Sequence, residues 1–238
     1  MDPQPRRENE QRQRQQAEIR IPGVEAWIRD IPPITRTWAF ACVVVGIAIQ
    51  CEFIAPVQLY FSWKTVIHDG QFWRIFTNFM YFGNFSFDLA YHLFFMMRYS
   101  RLLEENSYSN NRADYLCLMA FNAIILMALS PFLPFPFLSS SLAFSLVYIW
   151  ARRNPHMRMN LFGVITVSAQ YLPFCLIGFS WTMSGIKAET MGDAVGLVAG
   201  HLYYTIQDAW PREMTHPTGK PIIVAPRWLK RMFGELRT

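Results

Sequence analysis

The chain divides by polarity into three parts. Residues 1–36 are polar and basic, a long middle stretch is apolar, and the last 28 residues are polar again. A membrane-crossing helix needs about 20 mainly apolar residues. The middle stretch offers six candidates: Thr37–Pro56, Phe85–Leu103, Tyr115–Leu133, Phe137–Ala151, Met159–Phe179 and Thr190–Trp210. No charged residue occurs between Tyr115 and Ala151. Ser130-Pro-Phe-Leu-Pro-Phe-Pro136 splits this run with three prolines, which cannot continue one helix, so a tight helical hairpin is expected. The fourth candidate then spans only ~22 Å at a rise of ~1.5 Å per residue. That is shorter than a hydrocarbon core of ~30 Å, so this helix either thins the bilayer or is sheltered by longer neighbours.

The basic residues give these spans an orientation. Of 22 lysines and arginines, seven lie in the N-terminal segment, three between the second and third spans, three between the fourth and fifth, and six in the C-terminal tail. Only Lys64, Arg74 and Lys187 fall on the other side. Six spans with both termini in the cytosol follow. The net charge of +5 and a pI near 9.1 therefore reflect membrane topology and not nucleic-acid binding. With 52% hydrophobic and 16% charged residues, against roughly 25% charged in a soluble chain, a soluble enzyme is a poor fit. Residues 1–22 read as a disordered basic tail and 23–36 as an interfacial amphipathic segment. The membrane domain runs over 37–210 and a cytosolic tail over 211–238. Trp228, Leu229, Met232, Phe233 and Leu236, beside Lys230, Arg231 and Arg237, suit a short surface helix in that tail.

Two stretches stand out. The connection Val57–Asn84 is too long for a plain link and carries nine aromatic residues, the make-up of a segment seated at the membrane interface. Arg74 lies inside it and must snorkel or find backbone carbonyls to keep its charge. Trp73-Arg74 therefore reads as a loop anchor. In the sixth candidate, Gly192, Gly196 and Gly200 fall on one face, where another helix backbone can come close.

Catalytic chemistry finds little support. His201 is a conceivable base, but Ser139, Ser140, Ser141 and Ser145 have no flanking glycine to expose a nucleophile or open an oxyanion site. Asp88 and Asp193 lack the sequence context of a membrane aspartyl dyad. The histidines are scattered without an HExxH spacing, and no pair of the four cysteines forms a CxxC, so neither metal nor cofactor is expected. His201, Asp88, Gln170 and Asn122 remain as polar residues that could line a membrane groove. An active intramembrane serine protease and a small-solute carrier or channel stay as alternatives.

Six stretches in order resemble the derlins, rhomboid-like pseudoproteases of the endoplasmic reticulum. They are Ile31-Pro-Pro-Ile-Thr-Arg36, Trp73-Arg-Ile-Phe-Thr-Asn-Phe79, Arg98-Tyr-Ser-Arg-Leu-Leu-Glu-Glu105, Tyr148-Ile-Trp-Ala-Arg-Arg-Asn-Pro155, Leu172-Pro-Phe-Cys-Leu-Ile-Gly-Phe179 and Gly196-Leu-Val-Ala-Gly-His-Leu-Tyr203. The resemblance implies an all-α membrane protein, a rhomboid-like six-helix bundle with a long interfacial loop after the first helix. It implies a non-enzymatic role in degrading misfolded proteins of the endoplasmic reticulum, with a membrane ubiquitin ligase and a pulling AAA ATPase as partners. A homo- or hetero-oligomer is left open. By the same resemblance Trp73 and Arg74 form the loop motif, Gly196 and Gly200 the sixth-helix GxxxG, and His201 sits where active rhomboids place their catalytic histidine. The tail Phe233-Gly-Glu-Leu-Arg-Thr238 departs from the family's Phe-x-Gly-x-Gly ATPase box, so recruitment of the ATPase through a partner is expected.

Overall fold

The structure, a computed structural model, describes residues 31–83, 87–109, 111–161, 165–184, 188–214 and 222–235. The expected disordered tail and the interfacial segment up to residue 30 lie outside the described residues. The chain is mostly helical. Its longer helices are α1 (Pro33–Gln50), α4 (Phe87–Leu102), α5 (Arg112–Leu129), α6 (Ser139–Arg153), α7 (Leu172–Ser184) and α8 (Ala188–Tyr204). Short helices α2 (Trp63–His68) and α3 (Arg74–Thr77) interrupt the connection after α1, while α9 (Trp210–Met214) and α10 (Arg227–Met232) belong to the C-terminal part. Among the described residues, two helical stretches, Pro33–Gln50 and Arg112–Phe132, are long and apolar enough to cross a membrane by length and composition.

Helix α6 forms the centre. Twelve of its 15 residues are buried, from Ser139 through Trp150 to Ala151. It packs against α4, α5, α7 and α8. Of the two fates open to a short helix, α6 takes shelter among its neighbours. The short helix that faces outward is α7, where Phe174 and Trp181 are exposed. In a lipid surround, burial of apolar side chains gives little net drive, so close packing and hydrogen bonds must hold such a bundle together.

At the arginine-rich end, an acid organises three helices. Beyond α4 the chain continues as a π-helical turn, Leu103–Ser107, which carries Glu104. The buried Glu104 carboxylate accepts from the backbone N–H groups of Ile34 (3.1 Å) and Thr35 (2.9 Å) and from the Thr35 hydroxyl (2.8 Å). The first turn of a helix leaves its N–H groups without intrahelical acceptors, and the helix dipole favours an anion there. Pro33 at the start of α1 needs no acceptor. The Thr35, Ser100 and Tyr115 hydroxyls continue the network at 2.7 and 2.6 Å and join α1, α4 and α5. Ile31–Arg36 and Arg98–Glu105, two of the stretches singled out in the sequence, thus form one joint.

Three expected boundaries change. The first helix begins at Pro33 and stops at Gln50, short of Pro56. Glu52 just beyond it adopts a left-handed φ of 60°, incompatible with a continuing helix. The fifth candidate helix does not begin at Met159. Arg158–Leu161 and Ile165–Ser168 form an antiparallel pair, β1 and β2, with Met159 opposite Val167 and Asn160 opposite Thr166. A 3-10 turn, Ala169–Tyr171, then leads into α7. Strict alternation of polar and apolar residues and three β-branched residues favour strand here, so the all-α expectation gives way to a helical fold with one small hairpin. The sixth candidate helix runs past Trp210: α8 continues through a π-helical turn, Thr205–Ala209, into α9.

Candidate functional site

Helix α8 lies along α6 on its glycine face. A Cβ built on Gly196 would overlap the backbone carbonyl oxygen of Ser141, and one on Gly200 would stand 2.8 Å from that of Ser145. Gly192 faces the Ser140 and Ser141 hydroxyls at 3.1 and 3.2 Å from such a Cβ. The three glycines therefore set the distance between the two helices. No side chain fits at Gly196 or Gly200 without parting the backbones.

The segment between α1 and α4 is held from within. The buried Arg74 guanidinium donates through Nη1 to the carbonyls of Val57 (2.8 Å) and Tyr60 (2.9 Å) and through Nε to Gln71 Oε1 (2.5 Å). It also lies 5.1 Å from the centre of the Tyr60 ring. Charge-assisted bonds of this kind are stronger than neutral ones. The neighbouring Trp73 is exposed, as are Phe53, Phe72 and Phe76. Trp38 Nε1 donates to the Phe79 carbonyl (3.2 Å), and Trp63 Nε1 to that of Met127 (3.1 Å), tying this segment to α1 and α5. The buried Asn78 accepts from the Leu138 N–H at 3.1 Å, at the entrance to α6.

The remaining sequence-selected residues sit on four different elements: α8, α5, the turn before α7, and α4. His201 is exposed on α8, and its Nδ1 shares a 2.7 Å hydrogen bond with the Tyr148 hydroxyl. Asn122 is buried in α5 and donates to the Leu118 carbonyl at 2.9 Å. Gln170 is exposed in the turn before α7. Asp88 belongs to α4, but its side chain lies outside the described residues. Ser139 donates to the Tyr81 carbonyl and Ser145 to that of Leu142 (2.7 Å), so neither hydroxyl is paired with His201.

Sequence reasoning missed one buried pair. His92 Nε2 lies 3.5 Å from Asp193 Oδ1, with both side chains almost wholly inaccessible, between α4 and α8. Residues about a hundred positions apart give no local signal of such a pairing. At the other end, the π-helical turn after α8 places Asp208 where its Oδ2 accepts two bonds of 3.0 Å from Arg153. The Arg153 guanidinium lies over Tyr108, whose hydroxyl meets that of Tyr203 at 3.1 Å. Burial pushes the Tyr108 hydroxyl above its ordinary range, and Arg153 pulls it partly back.

A helical bundle with outward apolar helices, a glycine-spaced central pair and an aromatic connection points to the class of helical membrane proteins. The model of the Der1-like family matches residues 31–227. "Derlin-2.1" of Arabidopsis thaliana is 37% identical over 224 residues, covering 90% of this chain and 89% of that protein. "Derlin-2.1" of Zea mays is 36% identical over 224 residues, covering 90% and 87%. The "Probable derlin-2 homolog" of Dictyostelium discoideum is 34% identical over 216 residues, covering 88% and 82%. The chain belongs to the Der1-like family, the derlins, and is a membrane protein. Membership implies a role in endoplasmic-reticulum-associated degradation.

Proposed function

We propose that this chain is a non-enzymatic retrotranslocation factor of the endoplasmic reticulum membrane. It spans the bilayer six times with both termini in the cytosol, and it helps misfolded proteins return to the cytosol. The observation that carries this reading is the pairing of an exposed aromatic surface with a rigid internal anchor: Trp73, Phe72 and Phe76 point outward from a segment that Arg74 ties down. Such a surface rests in the luminal leaflet, where aromatic rings are favoured. The described part of helix α7 with the preceding 3-10 turn spans ~26 Å, and its outward side draws the bilayer thinner beside it. A charged residue at the centre of an inserted helix costs about 2.5–3.5 kcal/mol, and a thinner core exposes fewer residues of a client to that cost. The client enters laterally beside α4.

The engagement of Ser139, Ser145 and His201 with other partners supports a role without hydrolysis. A membrane ubiquitin ligase and an AAA ATPase complete the pathway. Recruitment of the ATPase through a partner is supported by the C-terminal part, which the bundle occupies. Gln207 both accepts from Ile223 N–H and donates to its carbonyl, Asp114 accepts from Ala225 N–H at 2.7 Å, and Glu235 accepts from Ala113 N–H at 3.1 Å.

A translation-shutoff chase of one luminal and one membrane-embedded misfolded client, in cells lacking their own copy, tests the proposal. Wild type and a Ser139→Ala/Ser140→Ala/Ser141→Ala variant are expected to restore client decay equally, and neither is labelled by a fluorophosphonate probe. Decay restored by wild type but not by the serine variant, with probe labelling lost in that variant, identifies a protease instead.

A further inference from the structure

At the arginine-rich end, a cleft of about 460 Å³ opens between α4, the end of α6 and strand β1. Its volume lies in the range of ligand pockets. The walls are apolar and pliable: Met97, Met157 and Met159 line it, with Trp150 and Ile31. Methionine side chains adapt to flexible apolar guests. The indole Nε1–H of Trp150 has no acceptor among the described residues. Two cations, Arg98 and Arg101, belong to the same cleft. Arg98 is exposed and stands 6.0 Å from the centre of the Phe94 ring, and Arg101 is partly exposed beside Glu105 at 2.8 Å. An apolar trough with cations one helical turn apart at its rim has the charge and shape to complement one acyl chain and a phosphate group. A zwitterionic headgroup would bring its own cation to the two arginines, whereas a net anionic one would not.

We infer that this cleft is a binding site for an anionic phospholipid, with an acyl chain along Met97, Met157 and Met159 and the headgroup phosphate at Arg98 and Arg101. The site goes beyond the retrotranslocation reading and needs only that the chain lies in a bilayer. Because the cleft flanks α4, a seated lipid fills the arginine-rich end of the lateral opening proposed above. A client entering there displaces it.

The test uses full-length protein reconstituted in symmetric vesicles, so that the same lipids face both ends and orientation does not matter. Vesicles carry a trace of phosphatidylserine or phosphatidylcholine with a photoreactive acyl chain, and crosslinked peptides are mapped by mass spectrometry. Phosphatidylserine is expected to label peptides containing Met97 and Met157–Met159 in preference to phosphatidylcholine. Labelling should fall about fivefold for each arginine removed in R98Q and R101Q. A Met157→Trp variant, which fills the cleft at an exposed position and keeps both charges, should lose labelling too. Arg152, which lies instead over the Tyr204 ring, serves as the control: R152Q should label as wild type does. Equal labelling by the two lipids, or an equal loss in R152Q and R98Q, overturns the site and leaves only a diffuse basic surface.

Discussion

The α6–α8 seam and the segment between α1 and α4 use opposite means to similar precision. The seam is held by the absence of side chains: glycines bring α8 onto the α6 backbone, and little of the contact is open to the surroundings. The segment is held by one long side chain, Arg74, reaching backwards to carbonyls, while its aromatic rings stay outside. A seam of this kind is scaffold, and its residues answer to stability. A segment of this kind is a surface on a fixed mount, so its anchor answers to local order and, on the function proposed above, its exposed rings answer to client handling. Loss of function on substitution therefore has a different cause in each region, and stability measurements separate the two.

The largest effect is expected at the seam. Gly196→Leu drives a side chain into the Ser141 carbonyl and should cost about 3 kcal/mol, read as a lower thermal midpoint in detergent or as failure to insert. An unchanged midpoint would mean that the helices are not packed this closely. Next comes Arg74→Met, which leaves the Val57 and Tyr60 carbonyls without their donor. A loss of about 2 kcal/mol is expected, confined to residues 51–83 in hydrogen exchange and limited proteolysis, with protection of α6 and α8 retained. Loss of protection across the whole bundle would merge the two regions into one.

Glu104→Gln should cost about 1 kcal/mol through the first turn of α1, seen as faster exchange at the Ile34 and Thr35 amides. Trp73→Ala is expected to change stability by less than about 0.5 kcal/mol, since the ring is exposed, yet to slow client decay as strongly as removal of the protein. Should Trp73→Ala restore full decay in the chase, the outward rings are not the working surface.

Much of this was legible beforehand, and what was not has identifiable causes. Apolar runs and prolines located the helices and the α5–α6 turn, because span length and proline chemistry are local properties. The spacing of Gly192, Gly196 and Gly200 marked a face, but not its partner, since nothing local selects α6 from the other helices. Arg74 inside an apolar run demanded carbonyls without saying which ones. The strands at 158–161 and 165–168 overlap a stretch, Met159–Phe179, whose hydropathy alone predicts a membrane helix. The alternation Arg158, Met159, Asn160, Leu161 carried the strand signal. Glu104 lies within the Arg98–Glu105 stretch, and nothing local marks Ile34 and Thr35 as its partners. Its task depends on a π-helical turn that rotates it toward α1, a displacement absent from helical-wheel arithmetic. The His92–Asp193 pair joins distant helices and required the fold itself.

The most direct test of the division between scaffold and surface is the depth of the loop in a bilayer. Single spin labels would be placed at Trp73 and at the exposed Asp69, in a background with the four native cysteines replaced, in protein reconstituted into vesicles. Accessibility to oxygen and to a water-soluble nickel reagent would then be compared. The account predicts that the label at position 73 is reached by oxygen and shielded from nickel, while the label at position 69 is reached by nickel. Equal nickel accessibility at both positions would place the aromatic rings in water and contradict an interfacial working surface.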